Sequence, residues 1–88
     1  MRLRNGFVTE GNKGAYIIKP TGEAAQRFHG LIKSNKTAAF IVECLKEDTT
    51  EEEIIEKMVE KYDAPKERIA EDVFRIITQL ERIGALIE

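Results

Sequence analysis

The chain has 88 residues, with 14 Lys and Arg against 16 Asp and Glu and a single Cys; one small domain fits that length, whereas a disulfide-stapled fold or a Cys-rich zinc site does not. Leu, Ile, Val and Phe supply 24 residues, more than the roughly 20% below which chains stay disordered, yet the longest apolar run, residues 38–42, falls far short of the ~20 residues that span a bilayer. No apolar stretch of the kind a secretion signal needs follows Met1-Arg2-Leu3-Arg4, so a single-domain cytoplasmic protein without a membrane segment is expected.

Taken in chain order, residues 7–10, 15–19 and 25–33 are β-prone pieces separated by Asn12-Lys13-Gly14 and by Pro20-Thr21-Gly22-Glu23. Such clusters mark tight turns, because Pro fixes its own φ and Gly accepts φ > 0. The pattern predicts a three-stranded antiparallel meander. In its third strand Phe28 and Ile32 share a face, and Gly30 between them lets another backbone approach closely.

After residue 35 the apolar period becomes helical. Asn35 is a good N-cap for a helix over residues 36–45, where Ala38, Ile41, Val42 and Leu45 form one face. Thr50-Glu51-Glu52-Glu53 has the form of a capping box: the Thr hydroxyl accepts from the third-position N–H while Glu53 reaches back. It opens a helix over 51–62 with Ile54, Ile55, Met58, Val59 and Tyr62 on one stripe. Pro65 at the first helical position opens the last helix, residues 65–83, which Gly84 ends. Strands followed by three helices make an α+β, winged-helix-like domain.

The last helix carries two apolar stripes. Ile69, Val73, Ile76, Leu80 and Ile83 fall within one arc of roughly 80°, the width of a core face. Ala70, Phe74 and Ile77 lie further round. Either this second stripe packs on the sheet, or it lines a partly open groove beside the third strand. A groove next to an edge strand accepts an extended peptide as an added strand, with backbone hydrogen bonds for affinity and pockets for choice. On the second reading the peptide docks along Arg27, Phe28, Gly30, Leu31, Ile32 and Lys33 and against Ala70, Phe74 and Ile77, with Arg27 and Lys33 attracting acidic residues.

Catalytic chemistry finds no foothold in the sequence. His29 lies on a predicted strand without a Ser or Cys partner, Cys44 sits among apolar helix neighbours as a small hydrophobe, and no nucleophile elbow, phosphate loop or dinucleotide fingerprint occurs. Glu51, Glu52 and Glu53 point about 100° apart on a helix, which suits the helix dipole rather than a metal. No enzyme activity, metal or cofactor is expected.

The charge is unevenly spread. Residues 1–46 hold eight bases and three acids, residues 47–88 six bases and thirteen acids, which predicts two faces of opposite sign. A winged-helix protein that binds DNA is the alternative reading. Against it, a recognition helix touching phosphates should be basic, while the last helix balances Lys66, Arg68, Arg75 and Arg82 with Glu67, Glu71, Asp72 and Glu81, and the helix before it is net acidic.

Residues 35–45, then Thr50-Glu51-Glu52-Glu53-Ile54-Ile55, Tyr62-Asp63 and Pro65, and finally Asp72-Val73 with Ile76, Leu80, Gly84 and Leu86 together resemble the PqqD family (pyrroloquinoline quinone synthesis protein D). The resemblance covers residues 35–87 in register and departs from the family at Ser34, commonly Leu, and at Val42, commonly Trp. That family is similar to the RiPP recognition elements, which serve ribosomally synthesised and post-translationally modified peptides. The resemblance implies a non-enzymatic peptide chaperone. It would bind the leader of a precursor peptide as a strand between the third strand and the third helix. It would then present that peptide to a modifying enzyme such as a radical SAM protein or a cyclase, in pyrroloquinoline quinone, lasso-peptide or thioether-peptide maturation alike.

Overall fold

The computed structural model describes residues 1–88, the side chain of Asn12 excepted. The chain runs β1 (Arg2–Leu3), β2 (Phe7–Asn12), β3 (Ala15–Pro20), α1 (Gly22–Arg27), β4 (Ile32–Ser34), α2 (Lys36–Cys44), α3 (Glu51–Lys61), α4 (Lys66–Arg82) and β5 (Leu86–Ile87). The expected α+β class is present: an antiparallel sheet in the order β2-β3-β4, with three helices after it. Asn12 pairs with Ala15, so Lys13 and Gly14 form a two-residue turn. Both have positive φ, 53° and 86°, the left-handed pair that matches the twist of a hairpin.

The expected third strand over residues 25–33 is not formed as such. Residues Gly22–Arg27 are helix α1, and the strand shrinks to Ile32–Ser34. The local chemistry accounts for this. Glu23-Ala24-Ala25-Gln26-Arg27 is a run of good helix formers, with an acid in the first turn and a base in the last to suit the dipole. Phe28 closes α1 by donating its N–H to the Ala24 carbonyl. Phe28 and Gly30 therefore lie in a loop, and Ile32 is the first residue of β4, paired with Ile18.

The later helices follow their sequence cues closely. The Asn35 side chain accepts from the Ala38 N–H at 3.1 Å and the Thr50 hydroxyl from the Glu53 N–H at 3.1 Å. The capping box is half formed, however: the Glu53 carboxylate takes the Thr49 hydroxyl at 3.3 Å rather than reaching back to residue 50. Pro65 is the N-cap of α4 rather than its first helical residue, and Gly84, with φ 76°, follows the C-cap Ile83.

Ile18, Ile41, Leu45, Ile54, Met58, Val73 and Leu80 are fully enclosed between the sheet and the three long helices. A second, two-stranded sheet joins the two ends of the chain, with Arg2 opposite Ile87 and Leu3 opposite Leu86. Leu3 also donates its N–H to the Leu45 carbonyl at 2.7 Å. Among the described residues no helix is long and apolar enough to cross a membrane.

Candidate functional site: a groove between β4 and α4

β4 pairs with β3 on one side and with no strand on the other. An edge strand of this kind presents unpaired N–H and C=O groups. Along that free edge runs a groove whose far wall is α4. One end, of about 430 Å³, is lined by Lys33, Ser34, Asn35, Thr37 and Ala38 on one side and Asp72, Arg75, Ile76 and Gln79 on the other. The other end, of about 280 Å³, is lined by Leu31, Ile32 and Lys33 facing Gln79, Arg82 and Ile83. Lys33 and Gln79 border both, so the two depressions adjoin along β4.

Two close approaches hold the loop before β4 against the C-terminal end of α4. A Cβ on Gly30 would overlap the Ile83 side chain, and one on Gly84 would overlap the Phe28 ring. Phe28 is also tilted against Phe7 at 5.6 Å between ring centroids. The Arg4 and Arg27 guanidiniums lie over the Phe28 ring at 4.9 and 5.6 Å, and Arg4 donates from Nε to the Gly84 carbonyl at 2.9 Å. Gly30 thus does permit a close approach, but by a helix side chain at a loop position.

The structure brings Leu31, Ile32 and Lys33 to the groove, with Phe28 and Gly30 bracing its floor and Arg27 beside them. Leu31 is exposed and Ile32 buried. Ala70, Phe74 and Ile77 are not brought there. On a wheel of 100° per residue, their centre lies about 170–180° from that of Asp72, Arg75, Ile76, Gln79, Arg82 and Ile83. Nor does Phe74 join the core, since it is 62% exposed; Ile77 is buried at 6%, beside Thr49, Thr50 and Glu51 at the start of α3. The groove side of α4 therefore consists of residues the sequence reading gives to the core stripe, Ile76 and Ile83, together with the polar residues flanking it. The signal that could have found them is the periodic series 72, 75, 76, 79, 82, 83, which abuts the core stripe on its other side.

Charge along the groove is uneven. At one end Arg75 donates to Asp72 at 2.8 Å. Arg82 at the other end and Lys33, which borders both, make no ion pair among the described residues, and the same holds for Arg27 and Arg4 beside the Phe28 ring. Away from the groove, burial pushes the Cys44 thiol above its ordinary pKa, against the opposing pull of Lys57. Among the described residues no three His, Cys, Asp or Glu side chains gather into a metal-holding group.

Residues 16–86 match the family described as coenzyme PQQ synthesis protein D (PqqD), and the chain belongs to that family. No curated protein matches it by sequence. Among solved structures it is similar to TbiB1, in a complex with the TbiA(beta) leader peptide: 14% identity over 98% of this chain and 94% of that one, with a TM-score of 0.71. It is likewise similar to a lasso peptide synthetase B1 complexed with the leader peptide, 18% identical over 99% and 96% of the two chains, with a TM-score of 0.69. At these identities the likeness is one of fold, and it extends over nearly the whole of each chain.

Proposed function

We propose that this chain is a non-catalytic recognition protein for the leader segment of a ribosomally made precursor peptide, which it binds as an added strand on β4 and presents to a modifying enzyme of the radical SAM or cyclase type. The observation that carries this reading is the open groove between the free edge of β4 and α4. An extended segment lying there gains backbone hydrogen bonds from β4, while its alternate side chains reach down toward Ile76 and Ile83. Membership in the PqqD family and a fold shared with two leader-peptide complexes support it. The chemistry of the groove lining supports a non-catalytic role: its lining residues include no histidine to activate Ser34 or Thr37, and its one carboxylate, Asp72, is already paired with Arg75.

The test is a titration of ¹⁵N-labelled protein with synthetic leader peptides taken from short precursor-like reading frames sought near its gene. Amide shifts are expected to concentrate in residues 31–35 and on the 72–83 face of α4. Shifts confined to α3 and to Ala70, Phe74 and Ile77 would place the peptide elsewhere and overturn the reading.

A further inference from the structure

The groove is electrically lopsided in a way that its shape alone does not require. At the Ser34–Asp72 end, the cation Arg75 is already neutralised by Asp72 at 2.8 Å, three residues away on the same helix. Toward the Leu31–Ile83 end, Arg82 faces Lys33, which borders both ends, and neither has a carboxylate partner among the described residues. Close by, Arg27 at the end of α1 and Arg4 between β1 and β2 both lie against the Phe28 ring, and Phe28 itself sits on Gly84, just past the end of α4. Glu81, the acid nearest Arg82 in sequence, lies about 100° round α4 from it, in the depression that Ile77 borders.

On the reading that the groove takes an extended peptide, we infer that it selects acidic-apolar segments, with the carboxylates confined to the part of the peptide over Lys33 and Arg82. Arg75 and Arg82 are seven residues apart, a rise of about 10.5 Å along the helix, or about three residues of an extended strand. A bound segment therefore passes from the unpaired cations to the neutral Asp72–Arg75 pair within three to four residues. A carboxylate over Lys33 and Arg82 gains two partners, whereas one over Asp72 meets a like charge. Apolar side chains between them settle on Ile76 and Ile83. The charge gradient thus sets the register of a strand whose backbone bonds alone would tolerate slippage.

The experiment is a selection from displayed random twelve-residue peptides against the full-length protein, repeated against Arg82→Gln, Lys33→Gln with Arg82→Gln, and Arg82→Glu. Lys33 and Arg82 are exposed, and thermal melts confirm that each variant is folded. Wild type is expected to enrich Asp or Glu at one end of an apolar pattern. Each Gln substitution is expected to weaken the selected peptides by roughly two- to fivefold, the range of an exposed ion pair, while Arg82→Glu moves the preference toward Lys or Arg at the same position. Peptides that depend on the groove, lost in a Lys33→Pro control, but carry no acidic bias would overturn this inference and leave peptide recognition standing. Selected peptides indifferent to Lys33→Pro would overturn both.

Discussion

Gly30 and Gly84 are the residues on which the groove's geometry turns, because each stands where a side chain would collide with the element opposite. Gly30→Ala pushes Ile83 and the end of α4 away from the loop that carries Leu31. We expect a loss of about 1–3 kcal/mol, the cost of overpacking a tight contact, read as a lowered melting temperature. Phe74 makes the opposite case. At 62% exposure its truncation leaves no cavity, so Phe74→Ala should change stability by no more than about 0.5 kcal/mol and leave leader affinity as it was; a tenfold loss of affinity with an unchanged melt would bring Phe74 into the site. Cys44 gives a chemical check on burial. The thiolate is the reactive form, and a raised pKa shrinks its fraction at neutral pH, so iodoacetamide should label Cys44 more slowly in the folded protein than in denaturant.

At the scale of elements, what was legible depended on whether the cue was local. Asn35 and Thr50 name their helices because a cap is decided by a side chain and a backbone N–H three residues on. Thr50→Ala is accordingly expected to cost about 0.5–2 kcal/mol, measurable by urea denaturation, with Glu53→Gln costing less because its carboxylate holds the Thr49 hydroxyl and not the helix end. The strand over residues 25–33 fails for a local reason too: the run Glu23–Arg27 favours helix, while the β-prone Phe28, Leu31 and Ile32 lie beyond it. The pairing of β1 with β5 has no such cue, since two-residue strands from opposite ends of the chain exist through tertiary packing. The site falls between these cases. Periodicity identified α4 and its excess apolar width, but which flank of a wide stripe faces β4 depends on how the helix rolls against α3 and the sheet. Ile76 and Ile83 serve both core and groove, so a reading that reserves core residues for the core leaves the groove without its floor, and Phe74 is drawn in to replace it.

The charge distribution of the whole molecule bears on what else this fold will accept. Winged-helix-like domains offer a helix to DNA, and α4 is the helix available here. α4 is itself balanced, with Lys66, Arg68, Arg75 and Arg82 against Glu67, Glu71, Asp72 and Glu81, and Arg75 is already paired with Asp72. α3 adds Glu51, Glu52, Glu53, Glu56 and Glu60 against Lys57 and Lys61, so a duplex laid across both helices meets more carboxylates than cations. Lys33 and Arg82, which have no carboxylate partner among the described residues, line the groove between β4 and α4, while Arg4 and Arg27 lie over the Phe28 ring. Phosphate binding without a matched surface is weak and strongly salt-dependent. Fluorescence anisotropy with a labelled duplex is therefore expected to give at most weak binding at low salt, nearly abolished at about 150 mM, with no preference over a scrambled sequence. Sub-micromolar binding to one duplex at that salt, reduced by Arg75→Gln, would instead mean that α4 reads DNA, and the groove beside it would have to be reassigned.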